Sequence, residues 1–206
     1  MRESDVFVHP LALCESQEVG NGSRIWPFAH VMVGAIVGEE CNIGGHTFIE
    51  TGARIGDRVT IKNGVMVFRG SVVEDDVFIG PGVIFTNDRH PRSPRMEAVR
   101  NRYQEQGKWL SPIHVCRGAT IGAGAILIAG VTVGAFACVG ASAVVTRDVT
   151  DHAIVVGAPA RAAGWACVCG RPLSSTHECP DCGRCFRFAK NQLELRESVA
   201  WTNSTE

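Results

Sequence analysis

The stretch Val37-Gly38-Glu39-Glu40-Cys41-Asn42-Ile43-Gly44-Gly45-His46-Thr47-Phe48-Ile49 decides the fold. Stepping through it by six lands on Val37, Ile43 and Ile49, and the step continues in both directions. Upstream lie Val19, Ile25 and Val31; downstream lie Ile55, Ile61, Val67, Val73, Ile79 and Phe85. Four places after each stands a smaller residue, as in Ala29, Ala35, Cys41, Thr47 and Ala53. After a break the period resumes at Val115, Ile121, Leu127, Val133, Val139 and Val145, with Ala119, Ala125, Val131, Ala137, Ala143 and Val149 in the small positions. Alternating strands repeat every two residues and do not hold large and small residues at fixed phases of a six-residue cycle. A helix fails as well, because six steps at 3.6 residues per turn do not return to one face. The pattern fits an all-β parallel β-helix in which three hexads make one triangular coil. The β-branched residue points into the prism and the small one allows the corner. Twelve inward positions before the break and six after it predict about six coils. Gly38, Gly44, Gly56, Gly80 and Gly122 each follow an inward residue, where tight packing or unusual φ values are expected.

Composition agrees with this reading and narrows the function. Of 206 residues, 45% are apolar but only 7% aromatic, and 23 are glycine, so the core must be built from small and β-branched side chains. Twenty Lys+Arg against 21 Asp+Glu give a formal charge of −1, which removes any electrostatic case for nucleic acid or an anionic membrane. No apolar run has the length of a membrane span. The start, Met1-Arg2-Glu3-Ser4-Asp5, lacks the layout of a signal peptide, so a cytoplasmic protein is expected. Nine cysteines in that compartment read as thiols and metal ligands rather than disulfides.

The break, about residues 86–114, is a polar and basic loop carrying Arg89, His90, Arg92, Arg95, Arg100 and Arg102. Ordering such an excursion costs entropy, and long loops in compact domains are commonly functional. The plain alternative is a decorative surface insertion. Clustered positive charge in a neutral protein suits a small anion such as phosphate better than a polymer.

Several spaced motifs carry a resemblance. They are Arg24-Ile25-Trp26 with Phe28; Cys41-Asn42-Ile43 leading to Phe48-Ile49-Glu50; Val77 to Asp88 followed by Pro91-Arg92-Ser93; and Val155-Val156-Gly157-Ala158-Pro159-Ala160-Arg161 with Gly164-Trp165. In this order they resemble the left-handed β-helix N-acetyltransferases that modify 3-amino sugars on a nucleotide carrier. The resemblance spans roughly Phe7 to Arg161. It implies a left-handed coil, acetyl-CoA as co-substrate, a dTDP- or UDP-linked amino sugar as acceptor with dTDP favoured, and a homotrimer with active sites between subunits. It implies that Asn87 and Asp88 hold the sugar near its amino group, with Arg69, Arg89 and Arg92 toward the substrate. By residue type alone an Asn-Asp pair at a strand end is simple turn chemistry. Some relatives carry an acidic residue where Arg69 stands, and some carry His where Pro27 follows Trp26.

His46 and His90 are the candidate general bases, because imidazole titrates near neutral pH. The thioester's own leaving group is the alternative proton acceptor. The second hexad block, from Gly118 to Val149, is nearly free of charge and admits a thin pantetheine arm. In similar enzymes CoA lies along these coils, which implies contacts from Gly122, Ala123, Gly140 and Ala141. Arg147 and Arg161 are candidate partners for its phosphates, against the plain reading of two solvated arginines.

The sequence divides into the β-helix, residues 1–165, and a segment of a different composition, 166–206. Cys167-x-Cys169-Gly170 and Cys179-Pro180-Asp181-Cys182-Gly183 form two knuckles, and four thiolates satisfy a structural Zn²⁺ with no open position. Cys185 is a fifth candidate. Cys14, Cys41, Cys116 and Cys138 read as small core or turn residues, and the polar stretch 191–206 is expected to fray. Two further readings compete with the transferase. A trimeric scaffold or binding module would not need Asn87-Asp88 or the basic loop. A γ-type carbonic anhydrase needs three converging histidines, and His46, His90 and His114 are spread out in sequence.

Overall fold

The computed structural model describes residues 5–189 and 192–196. Two-residue strands, one per hexad, stack in parallel into three sheets that form the sides of a triangular prism. The first sheet runs from Phe7–Val8 through Arg24–Ile25, Asn42–Ile43, Thr60–Ile61, Phe78–Ile79, Thr120–Ile121 and Cys138–Val139 to Ala153–Val156. The second runs from Leu13–Cys14 to Val144–Val145, and the third from Ile36–Val37 to Thr132–Val133. Eight parallel strands in the first sheet make about eight coils, not six. The added turns come from both ends. Phe7–Val8 and Leu13–Cys14 pair with Arg24–Ile25 and His30–Val31 although no strict six-residue phase marks them. At the other end Ala153–Val156 closes on Cys138–Val139. Arg161–Trp165 then doubles back antiparallel and caps the first sheet's edge.

Every inward residue from Ile25 to Val145 is essentially removed from water. Each buried Val or Ile contributes on the order of 1.5–3 kcal/mol relative to exposure. Coils are laced by backbone bonds one turn apart, such as Gly44 N–H to Ile61 O at 2.8 Å and Gly122 N–H to Val139 O at 2.7 Å.

The glycines after the inward residue do one of the two expected things. A Cβ on Gly80 would lie 2.6 Å from the Ala123 nitrogen, and one on Gly122 2.5 Å from the Ala141 nitrogen, so both positions exist for close packing of coil on coil. Their φ angles are ordinary. The left-handed turn falls two residues later, at Gly34, Gly52, Gly64 and Gly82, and also at Phe28, His46, Arg58, Asp76, Phe136 and Ser142. The β-helix therefore holds bulky residues in a conformation that glycine adopts most easily.

The insertion leaves after Phe85 and returns at His114. It contains a 3-10 turn, a short helix at Arg100–Gln104 and a second 3-10 turn. Its base is closed by Ser111 N–H to Asn87 O, 2.9 Å, and by an antiparallel bridge between Asp88 and Leu110.

Beyond Trp165 a second small core gathers Cys167, Cys179, Phe186 and Leu193, and Trp165 packs against both cores. Phe186–Ala189 and Gln192–Leu195 pair as an antiparallel hairpin, so the first part of the stretch expected to fray is ordered. The hairpin is stabilised by the small core that Phe186 and Leu193 share. Asn191 and residues 197–206 lie outside the described residues, as do Met1 to Ser4. Among the described residues no helix is long and apolar enough to cross a membrane.

Candidate functional site

The three edges of the prism sort the candidate residues. The first edge follows the first sheet and carries Trp26-Pro27-Phe28, Gly44-Gly45-His46, Gly122-Ala123 and Gly140-Ala141. The second edge follows the second sheet and carries Arg69, Asn87-Asp88, the whole insertion, and Arg147. Within one chain Asn87 and the glycine-alanine turns thus lie on different edges, with the second sheet between them.

At the second edge a cleft of about 360 Å³ opens between Phe68, Thr86, Asn87, Arg89, Pro91 and Ile128. Thr86 fixes its floor: its hydroxyl donates to Leu127 O at 3.1 Å and accepts from Ala129 N–H at 2.7 Å. Arg89 lies along the next coil, donating to Ala129 O at 2.8 Å. Arg69 stands one coil below Asn87, its backbone N–H held by the Glu50 carboxylate at 2.8 Å. The Arg92 side chain turns back onto Pro91 O, and its backbone N–H reaches the Tyr103 hydroxyl at 2.9 Å.

Asp88 is engaged within the loop. It accepts from Arg102 at 2.5 and 2.6 Å, from the Tyr103 hydroxyl at 2.7 Å and from His90 N–H at 2.8 Å. Burial works against its charge, but the Tyr103 and His90 donors and the Arg102 charge outweigh it and hold the carboxyl below its ordinary value. This clasp was not visible in the sequence, where Arg102 counted only as positive charge and Tyr103 as a loop residue. His90 is exposed and meets Asp88 through its backbone alone.

His46 is exposed on the first edge, at φ 57°, and stacks on Phe28 with ring centroids 4.8 Å apart. Both line a second cleft of about 360 Å³ with Trp26, Asn42 and Lys62. Trp26 and Asn42 belong together across one coil: the indole N–H donates to Asn42 Oδ1 at 2.8 Å. Higher on this edge Ala123 and Ala141 are exposed, a smooth backbone surface without charge. Arg147 and Arg161, 14 residues apart in sequence, meet in a third cleft of about 180 Å³ at the end of the β-helix. His46, His90 and His114 fall on the first edge, in the insertion and in the third sheet, so among the described residues of one chain these three do not converge.

The four cysteines of the two knuckles converge. All their sulfurs lie within 4.8 Å of one another, with Cys167 to Cys182 at 3.5 Å and Cys169 to Cys179 at 3.6 Å. Zn–S bonds of about 2.3 Å place the sulfurs of a tetrahedron roughly 3.8 Å apart, so the set fits. Burial pushes the Cys167 thiol up to about 12, whereas the Arg184 backbone N–H brings Cys182 down to about 6. Cys185 stands outside the four, its thiol directed at Gly183 O.

A short-stranded parallel β-helix with a polar insertion on one edge and glycine-alanine turns on another defines a hexapeptide-repeat protein. Residues 34–69 match the family described as the hexapeptide repeat of succinyl-transferase. The chain is 41% identical over 185 residues to a dTDP-3-amino-3,6-dideoxy-alpha-D-galactopyranose 3-N-acetyltransferase of Aneurinibacillus thermoaerophilus, covering 89% of this chain and 91% of that one. It belongs to this family of hexapeptide-repeat, acetyl-CoA-dependent sugar N-acetyltransferases. A bifunctional GlmU protein of Thermosynechococcus vestitus is 30% identical over 70% of this chain and 28% of its own length. Among solved structures, a mutant GDP-perosamine N-acetyltransferase of Caulobacter crescentus with CoA and GDP-perosamine aligns with a TM-score of 0.48 and 21% identity, over 78% of this chain and 54% of that one.

Proposed function

We propose that the protein moves acetyl from acetyl-CoA to the amino group of a dTDP-linked 3-amino-3,6-dideoxyhexose, within bacterial surface-glycan or glycoside synthesis in the cytoplasm. The observation that carries this is 41% identity over 185 residues, 89% of the chain, to an enzyme named for that acceptor. A UDP-linked 3-amino-glucuronate is the second acceptor to test.

The reaction needs an amine nitrogen placed against the thioester carbonyl. A C–N bond forms, the C–S bond breaks, and the amine proton leaves with the CoA sulfur or through an imidazole. Positioning can supply much of the rate. In this reading Asn87 faces the second-edge cleft and holds the sugar, Arg69 and Arg89 meet the diphosphate, and Asp88 acts through the clasp that shapes the loop carrying Arg92. The pantetheine arm runs along Gly122, Ala123, Gly140 and Ala141, toward Arg147 and Arg161 for the phosphates. His46 is the base candidate on the edge that carries CoA.

Because the two halves lie on different edges, a site between protomers of a homotrimer follows. The outward row of the second sheet, which lies between those edges, is Leu13, His30, Phe48, Met66, Ile84, Ile126 and Val144, apolar at six of seven positions. Leu13 and Ile84 are exposed in the single chain. Packing this face against neighbours removes an apolar patch from water and brings one protomer's first edge to the next one's second edge. The four knuckle cysteines take a structural Zn²⁺ in a unit of residues 166–206, closed on a β-helix of residues 1–165.

The test is free-thiol release from acetyl-CoA with a panel of dTDP- and UDP-linked 3-amino sugars. Turnover on the dTDP-linked acceptor, reduced about 10²-fold or more in Asn87→Ala, is the expected result. No thiol release with any of them, in protein that is trimeric and binds CoA, would overturn the acceptor.

A further inference from the structure

We propose a second metal site, formed by Glu74, His114 and Cys116 on the third side of the prism, that takes a borderline divalent cation such as Zn²⁺ or Co²⁺ and clips the coil before the insertion to the first strand after it. It is independent of the knuckle and of the acceptor's identity.

The site follows from strand geometry. His114 and Cys116 are two residues apart, so both side chains point outward from the same face. Val72 pairs with His114 and Val73 with Val115, which carries Glu74 alongside Cys116 one coil away. The ligand atoms of the three residues lie within 4.8 Å of one another, and each residue is half-buried. His114 Nε2 and Glu74 Oε1 are 2.6 Å apart. The other oxygen, Glu74 Oε2, accepts the Arg117 backbone N–H at 2.9 Å, which orients the carboxylate and leaves Oε1 toward the imidazole and thiol. Among the described residues the Cys116 sulfur makes no hydrogen bond.

The neighbours favour positive charge. Continuing the strand register puts Gly56 on the far side of Glu74 and Gly134 on the far side of Cys116, and the Asp75 carboxylate packs over Gly56. The Asp151 carboxylate, bound to Ala135 N–H at 2.8 Å, packs over Gly134. The Arg117 guanidinium, one residue beyond Cys116, is directed to Asp76 at 3.0 Å. Imidazole, thiolate and carboxylate together suit Zn²⁺ or Co²⁺ better than Mg²⁺ or Ca²⁺, and three protein ligands leave a position for water.

The position in the chain gives the site a purpose. Glu74 lies on the coil before the insertion, while His114 and Cys116 are the first residues after it, 40 positions away from Glu74 at His114. Bringing such distant points together costs loop-closure entropy. A metal bound to both sides favours the closed arrangement through its own affinity.

The test uses the full-length protein with its knuckle already loaded with zinc, titrated with Co²⁺ at micromolar concentration. The expected result is one further cobalt per chain, a thiolate-to-cobalt charge-transfer absorption, and a rise in Tm of several degrees. Cys116→Ser should lose the absorption, His114→Ala the Tm rise, and Glu74→Gln should weaken binding at least tenfold, each with knuckle zinc and metal-free Tm as in the wild type. A variant with a lowered metal-free Tm is replaced by competition on the wild type, where Zn²⁺ must displace cobalt one for one. Absence of the band in wild type, its persistence in Cys116→Ser, or uptake only at millimolar metal would overturn the site.

Discussion

Two kinds of glycine in this chain cost different things to replace. Gly122 has ordinary φ but its Cβ would fall 2.5 Å from the Ala141 backbone, which has no flexible end to move. Gly64 has open space around it but a φ of +71°. Gly122→Ala should therefore lose about 1–3 kcal/mol as overpacking, and Gly64→Ala about 1–2 kcal/mol as left-handed backbone. Urea unfolding separates the two when Gly64→Asn, which tolerates that φ, recovers stability and Gly122→Asn does not. The sequence reading joined these roles in one position because both answer to a missing Cβ, and only coordinates tell contact from dihedral. The Asp88 clasp is a second matter at this scale. Its carboxyl is held below the ordinary value of about 3.9, so ionisation stabilises the loop above that pH and the contribution disappears as pH falls through the lowered folded value. Hydrogen exchange across residues 99–110 should show stronger protection in wild type than in Asp88→Asn at pH 6. The difference should vanish in acid below the folded value, and a difference that is constant with pH would rule out the ionised clasp.

The strands of the β-helix from Phe7–Val8 to Val144–Val145 are only two residues long, and what makes them legible is their phase. The six-residue step, Val or Ile at nearly every position, names the inward face from Ile25 to Val145, because packing inside the prism allows little else. The terminal coils escaped notice because they need only one good neighbour. The six-residue step from Val19 lands on Leu13 and Phe7, but the register turns Cys14 and Val8 inward instead and leaves Leu13 53% and Phe7 45% exposed. The hairpin at Phe186–Ala189 and Gln192–Leu195 was missed for a similar reason: its core is four residues, two of them cysteines. Phe85 is the exception within the repeat, an aromatic ring wholly buried at the last inward position before the insertion. Its replacement by alanine should cost about 3–5 kcal/mol. Phe78, outward and 39% exposed, is the matched control and should lose far less on the same substitution. Equal losses in chemical denaturation would mean that Phe85 is not a core residue of the β-helix.

At the scale of the molecule, what sequence could not reveal is which edge each candidate occupies. Asn87, Gly122 and Ala141 are spread along one string, and a strict 18-residue repeat would put Asn87 and Ala141, 54 residues apart, on one edge. The insertion shifts the count, with Ile84 pairing with Ile126 42 residues on, so that Asn87 takes the second edge and the others the first. One side of the prism spans six residues, at most about 20 Å of extended chain. Reacting atoms must approach to about 3–3.5 Å, and the second sheet stands between a thioester on the first edge and an amine held at Asn87 of the same chain. A neighbouring protomer removes the difficulty, and the apolar outer row of the second sheet lies where that neighbour would bind. This arrangement predicts complementation between two inactive proteins. Asn87→Ala disables the second edge and leaves the first intact. Ala141→Trp fills the smooth surface of the first edge, where Ala141 is exposed, and leaves the second intact. Each alone should be inactive while remaining trimeric and folded. Unfolded together and refolded at equal amounts, they assort at random, and about a quarter of the interfaces then join two undamaged edges. Thiol release should return to about a quarter of the wild-type rate, and mixing without exchange should give none. A site contained within one protomer restores nothing under either condition, because every chain in the mixture carries one of the two lesions.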